Sequence, residues 1–168
     1  MEIYIIRHGV AAELDNEVVE EGYRYLTLPG RNHCKIVSQK LKDMKIEFDI
    51  ILSSPLIRAV QTAEVFASAL KYPGEIRTVI ELIGVNSFDR FLQLLKRYSH
   101  HNNIAVFGHA PDVNTFTLNL IKDNPVKDLQ INFKNLSVCR IDYDFKNDSG
   151  KFVWCLNPEN MKLTEAKL

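Results

Sequence analysis

Ile3-Tyr4-Ile5-Ile6-Arg7-His8-Gly9 carries a short apolar run straight into an arginine, a histidine and a glycine. A β-branched run of this length reads as a buried strand. An Arg-His pair at its C-terminal end lies where open α/β sheets hold their ligands. Gly9 lets the chain turn tightly and lets a ligand approach the backbone. The stretch predicts a sheet whose chemistry sits at strand ends.

Two further apolar strands end in the same way. Asp49-Ile50-Ile51-Leu52-Ser53 runs into Ser54-Pro55, and Ile104-Ala105-Val106-Phe107 runs into Gly108-His109-Ala110-Pro111. Between and around them, apolar residues recur at helical spacing over residues 31–44, 55–70, 87–98 and 112–121. Ser54 is the expected N-cap of the second helix, with Pro55 at its first position, which puts Arg58 in the first turn. Free N–H groups there favour an anion. Residues 75–80 are expected as a third strand after the breaker Pro73-Gly74. Residues 137–144 and 152–156 are expected as a hairpin about the turn residues 146–150. The tail from Pro158 is expected to form a short helix. Residues 10–30 form a loop-rich stretch with Glu13, Asp15, Glu17, Glu20 and Glu21, and a loop of that length in a compact domain is often functional. Strands alternating with helices imply an α/β sheet covered on both faces, with antiparallel character at one edge.

The chain has 168 residues, which suits one domain spanning 1–168. Lys+Arg and Asp+Glu both number 21, so the net charge is zero. That balance argues against a surface built for nucleic acid or an anionic membrane. No apolar stretch approaches a membrane span of about 20 residues, and no secretory signal is evident. Cys34, Cys139 and Cys155 are odd in number and form no C-x-x-C pair. They are expected as reduced buried thiols of a cytoplasmic protein, even if Cys139 and Cys155 fall on neighbouring strands. No metal-ligand spacing is present. His33, His100 and His101 are expected at the surface.

Strand ends of a parallel sheet converge on one side, so Arg7-His8, Ser53-Ser54 with Arg58, and Gly108-His109 should meet. Two arginines and two histidines in one cavity make a phosphate pocket. Arginine presents paired N–H donors that match phosphoryl oxygens. Histidine is a nucleophile when neutral and a donor when protonated.

These blocks resemble a known family. Arg7-His8-Gly9, then Ser53-Ser54-Pro55-Leu56-Ile57-Arg58-Ala59-Val60-Gln61-Thr62, then Gly108-His109 after an apolar strand are similar, in order and setting, to the motifs of the histidine phosphatase superfamily (phosphoglycerate mutase-like). The short length and the Arg24-x-Leu26-Thr27-x-x-Gly30 segment look most like the SixA-type phosphohistidine phosphatases. The resemblance implies a three-layer α/β/α sandwich with a mixed six-stranded sheet in the order 3-2-4-1-5-6, strand 5 antiparallel.

It also implies roles. His8 would be the nucleophile that becomes a phosphohistidine, while Arg7, Arg58 and His109 hold the phosphoryl oxygens. Gly9, Arg24, Ser54, Gly108 and Ala110 would line the substrate, and Asn114 is a weaker pocket candidate. No metal or other cofactor is expected. Glu81 and Asp112 are the candidates for a general acid, though neither sits in a matching motif. A phosphohistidine substrate needs such an acid less, because imidazole leaves more readily than an alkoxide.

The expected activity is therefore a metal-independent phosphatase acting on phosphohistidine in a signalling or phosphotransfer protein. The expected partner is that protein or free phosphate, and the expected state is a monomer. The alternatives are a phosphatase or mutase for small phosphate esters, and a phosphate-binding or interaction module without turnover. If His8 attacks while His109 helps neutralise phosphate, the rate should be bell-shaped in pH.

Overall fold

The computed structural model describes residues 1–15, 18, 20–84, 87–122 and 131–165. In chain order the elements are β1 (Glu2–Arg7), α1 (Leu28–Asp43), β2 (Ile50–Ser53), α2 (Ile57–Leu70), β3 (Ile76–Thr78), α3 (Phe88–Arg97), β4 (Asn103–Gly108), α4 (Asp112–Leu120), β5 (Val138–Asp144), β6 (Ser149–Asn157) and β7 (Lys162–Glu165). Single 3-10 turns occupy Glu21–Tyr23 and Ile80–Leu82.

The strands form one mixed sheet in the order β3-β2-β4-β1-β5-β6-β7. β1, β2, β3 and β4 run parallel to one another, and β5 pairs antiparallel with β1. The first six strands thus take the implied order, with strand 5 antiparallel. β1 is central because its four interior residues are buried on both faces. Ile3 and Ile5 point to one core with Phe91 and Leu95 of α3 and Val113 and Phe116 of α4. Tyr4 and Ile6 point to the other, with Cys34, Val37 and Leu41 of α1 and Ala63 and Phe66 of α2. Alternate residues of each strand feed opposite faces, so helices cover both.

Four local expectations are corrected. The tail after Pro158 is a seventh strand rather than a helix. Asn157 and Asn160 side chains accept the N–H groups of Glu159 and Lys162 at 2.9 and 3.0 Å, and Met161 has a φ of 56°. The chain therefore turns back, and Lys162–Glu165 pairs with the free edge of β6.

α1 starts at Leu28, earlier than residue 31. Thr27 caps it by accepting the Gly30 N–H at 3.0 Å, and Pro29 sits in the first turn, where its missing N–H costs nothing. Gly30 is required there, because a Cβ would stand 2.2 Å from the Val10 carbonyl oxygen. That contact presses the start of α1 against the chain just beyond Arg7-His8-Gly9.

α2 starts at Ile57, later than Pro55, with Leu56 at its N-cap and no side-chain cap. Ser54 is released from the expected capping role, although its Oγ still accepts the Leu56 N–H at 3.3 Å. Finally, Cys139 and Cys155 are not free thiols. They face each other in register across β5 and β6 and are joined as a disulfide, with a Cα–Cα distance of 4.1 Å. Cys34 is the free, buried thiol.

Candidate active site

The C-terminal ends of β1, β2 and β4 deliver His8, Ser54 and His109 to one place, because the three strands are parallel neighbours in register. The His8 backbone N–H donates to Gly108 O at 3.1 Å, continuing the β1–β4 ladder past the strand end. The Gly9 N–H donates to Thr62 Oγ1 at 3.0 Å, and that hydroxyl donates to Arg58 O at 2.6 Å. Asn135 Nδ2 donates to the carbonyls of His8 and Gly9 at 2.9 and 3.3 Å. The backbone N–H and carbonyl groups of His8 and Gly9 are therefore held.

The imidazole of His8 has a defined tautomer. Its Nδ1 lies 2.7 Å from the Gly9 carbonyl oxygen, which can only accept, so Nδ1 carries the proton. Nε2 keeps the lone pair, and Arg58 Nε donates to it at 3.2 Å. Burial pushes the His8 pKa down to about 4; the Gly9 carbonyl opposes this, and Arg58, Arg7 and Arg24 add to it. His8 is neutral at neutral pH, as an attacking nitrogen must be.

His109 stands beside it, with ring centroids 4.9 Å apart. Its Nε2 lies 2.8 Å from Ser54 Oγ, while Nδ1 is buried without a partner. Burial lowers its pKa to about 3, helped by His8, Arg58 and Arg7. His109 is thus a neutral imidazole, able to offer one N–H rather than a full charge.

The positive charge comes from arginines. Arg7 Nη1 donates to Phe133 O at 2.7 Å, and its Nε is buried with no partner. Arg58 is 5% exposed. Its Nη1 donates to the Glu21 carbonyl at 2.9 Å, and its Nη2 lies 2.9 Å from the Glu21 carboxylate. Arg24 donates through Nε to Ala12 O at 2.6 Å and through Nη1 to the Glu21 carboxylate at 3.0 and 3.2 Å. Such a set can bind a tetrahedral dianion and stabilise charge that develops on its oxygens.

The remaining expected residues are placed as follows. Gly9 is packed so closely that a Cβ would lie 2.9 Å from Cys34 Sγ. Gly108 is buried opposite Arg7 in the β1–β4 ladder. Ala110 is exposed in the turn before α4. Asp112 is buried at the start of α4, and Asn114 Nδ2 donates to Ile131 O at 3.1 Å. Glu81 is committed to Arg97 in an ion pair on the Ile80–Leu82 turn. His33 bonds Pro158 O at 2.9 Å, and His100 stacks on His101 at 4.1 Å. Glu17 lies outside the described residues. Among the described residues no group of three or more His, Cys, Asp or Glu is disposed to hold a metal ion. No helix among them is long and apolar enough to cross a membrane.

Sequence reasoning assigned no role to Thr62, Asn135 or Glu21. Thr62 closes the Arg-Ala-x-Gln-Thr block, so its place was signalled but not its bond to Gly9. Asn135 sits in an irregular stretch with no pattern, and Glu21 is one of several acids in a loop.

The pattern of the histidine phosphatase superfamily (branch 1) matches residues 3–86, which contain His8 and Arg58. The chain belongs to that superfamily. It is a phosphatase. This histidine phosphatase is 28% identical over 170 residues to the phosphohistidine phosphatase SixA of Escherichia coli, across 99% of each chain. It superposes on a structure of the protein histidine phosphatase SixA complexed with tungstate with a TM-score of 0.83, at 27% identity, covering 96% of this chain and 100% of that one. An α-ribazole phosphatase of Shigella flexneri shares the fold at a TM-score of 0.70 and 18% identity, over 90% of this chain and 94% of that one.

Proposed function

We propose that this phosphatase hydrolyses phosphohistidine in a signalling or phosphotransfer protein, through a phosphohistidine intermediate on His8. The observation that carries the chemistry is the orientation of His8: Nδ1–H on the Gly9 carbonyl at 2.7 Å, and an unprotonated Nε2 whose lone pair accepts from Arg58 Nε at 3.2 Å. Nε2 attacks phosphorus as the substrate's P–N bond breaks, and the bonding pair returns to the substrate nitrogen. Arg7, Arg58 and Arg24 take the phosphoryl oxygens, and His109 adds an N–H. Water then attacks the phosphorus on His8, the P–Nε2 bond breaks, and the water proton ends on the released phosphate.

The P–N assignment is supported by the likeness to SixA over the whole length. Glu81 pairs with Arg97 on the Ile80–Leu82 turn. A second reading, a phosphatase or mutase for small phosphate esters, is favoured by Asp112, a buried carboxyl three residues after His109. The proposal takes the whole chain as one catalytic domain acting as a cytoplasmic monomer. The Cys139–Cys155 disulfide weighs against that compartment, and a thiol count tests it.

The deciding experiment measures phosphate release, with chelator present, from a phosphohistidine protein and from a panel of small esters. Preference for the phosphohistidine supports the proposal. Preference for an ester overturns it and makes Asp112 the residue to mutate. Binding of phosphate without release from any substrate would instead indicate a silent binding module.

A further inference from the structure

Glu21 is an acidic side chain that touches the site arginines. Its carboxylate lies 2.9 Å from Arg58 Nη2 and 3.0 Å from Arg24 Nη1, and its backbone carbonyl accepts from Arg58 Nη1 at 2.9 Å. The side chain is 54% exposed on the Glu21–Tyr23 turn, so it stands at the mouth of the site rather than within it. Arg58 offers Nε to His8 and both terminal nitrogens to Glu21. Each terminal nitrogen carries a second N–H, so phosphoryl oxygens can be bound while the carboxylate stays in place.

We propose that Glu21 sets the leaving-group preference of the site: its carboxylate, anchored between Arg58 and Arg24, favours a phosphoryl group borne by a cationic leaving group over one borne by an anionic leaving group. This rests on the phosphatase reading of the His8 site, and it extends the phosphohistidine reading to a reason for it. A phosphorylated imidazole protonated on its far nitrogen has a cationic ring, so its leaving group is cationic while the phosphoryl group is anionic. A carboxylate at the mouth accepts that N–H and stabilises the reactive form. When the P–N bond breaks, its electron pair goes to the substrate nitrogen. The far proton stays where it is, and neutral imidazole departs without a general acid. An ester with a carboxylate on its leaving group meets a like charge at the same place.

The test separates charge from bond type by using two simple esters beside a phosphohistidine peptide. Phosphoethanolamine has a cationic leaving group and phosphoglycolate an anionic one. The wild type should prefer phosphoethanolamine in kcat/KM, and E21Q should lower that preference about five- to tenfold, while E21D keeps its direction. Glu21→Gln retains an oxygen for the arginines and leaves the backbone bond to Arg58 intact, so a purely structural role would move both esters alike. Equal changes for the two esters, or an unchanged ratio, would overturn the proposal. If the phosphohistidine peptide is not cleaved but the ester ratio responds to E21Q, the P–N reading fails and Glu21 keeps its role. If the peptide is the best substrate and the ratio does not respond, the reverse holds.

Discussion

Arg58 Nε donates to His8 Nε2 at 3.2 Å across 50 positions of sequence. The nitrogen that carries the lone pair is thus aimed by the same guanidinium that is proposed to receive phosphoryl oxygens. On the proposed mechanism, as phosphorus approaches Nε2 that N–H turns to an oxygen of the transferring group, so a contact made to His8 becomes transition-state stabilisation.

Replacing His8 with Ala removes the attacking nitrogen and should cut phosphate release by at least about 10³-fold, with loss of the acid-labile phosphoprotein seen by intact-mass analysis. Arg58→Lys retains charge but not the planar fork. It should lower kcat about 10²-fold while the phosphoprotein still forms. Unimpaired turnover in H8A would remove His8 as nucleophile.

Gly9 has no space for a side chain, since a Cβ would meet Cys34 Sγ at 2.9 Å and Leu26 at 3.1 Å. Gly9→Ala should destabilise the fold by about 1–3 kcal/mol and displace the carbonyl that orients His8. Adding Cys34→Ala opens the nearest obstacle and should recover part of that stability. Urea denaturation of the single and double variants measures both effects, and a G9A protein as stable and active as wild type would contradict the packing.

The pH profile should be broader than a bell centred near neutrality. His8 and His109 are held at about 4 and about 3, so both are neutral above about pH 5. The enzyme's own histidines should then leave kcat/KM level from pH 5 to 8 and lower it below about pH 4, where His8 takes a proton; with a phosphohistidine substrate, loss of the far-nitrogen proton adds a fall toward higher pH. His109 serves as a neutral donor in the free protein rather than as a cation, which removes the expected fall at higher pH from its deprotonation.

The same shifts govern stability. Both folded-state pKa values lie below the ordinary 6.5, so on acidification the unfolded chain takes up protons first. Stability is fully present above pH 6.5. It is lost as pH falls toward 4 for His8 and 3 for His109, by up to about 1.4 kcal/mol per pH unit for each histidine. Urea midpoints at pH 7 and pH 5 measure this, and H8A should show a smaller drop than wild type.

Thiol titration of denatured protein, isolated without reductant and alkylated at once, should find one free thiol, Cys34, and three after reduction. Three thiols at the outset would show Cys139 and Cys155 reduced in the isolated protein and would support the cytoplasmic setting.

The parts of the fold that were legible were those written in short-range pattern. The strand bodies of β1, β2 and β4 are apolar runs, the four helices have one apolar face each, and the polar residues at the strand ends stand out against them. Boundaries were less legible where a local rule met a stronger contact. Apolar spacing starts the first helix at residue 31, yet α1 opens at Leu28 because Thr27 caps it and Gly30 admits the Val10 carbonyl. Ser54-Pro55 looked like a helix start, yet the helix begins at Ile57.

From the sequence alone came the α/β class and the set Arg7, His8, Arg58 and His109, because residue type and spacing along strands and helices are local properties. Tertiary structure alone decided which nitrogen of His8 carries the proton, since the Gly9 carbonyl and Arg58 meet it only in the folded chain. It likewise decided that Glu21 reaches Arg58 and Arg24, that Asn135 holds the His8 loop, and that Cys139 faces Cys155. The contacts of Arg58 with His8 and Glu21, of Asn135 with His8, and of Cys139 with Cys155 join residues far apart in sequence, through side-chain direction and burial, which exist only once the sheet has brought its strand ends together.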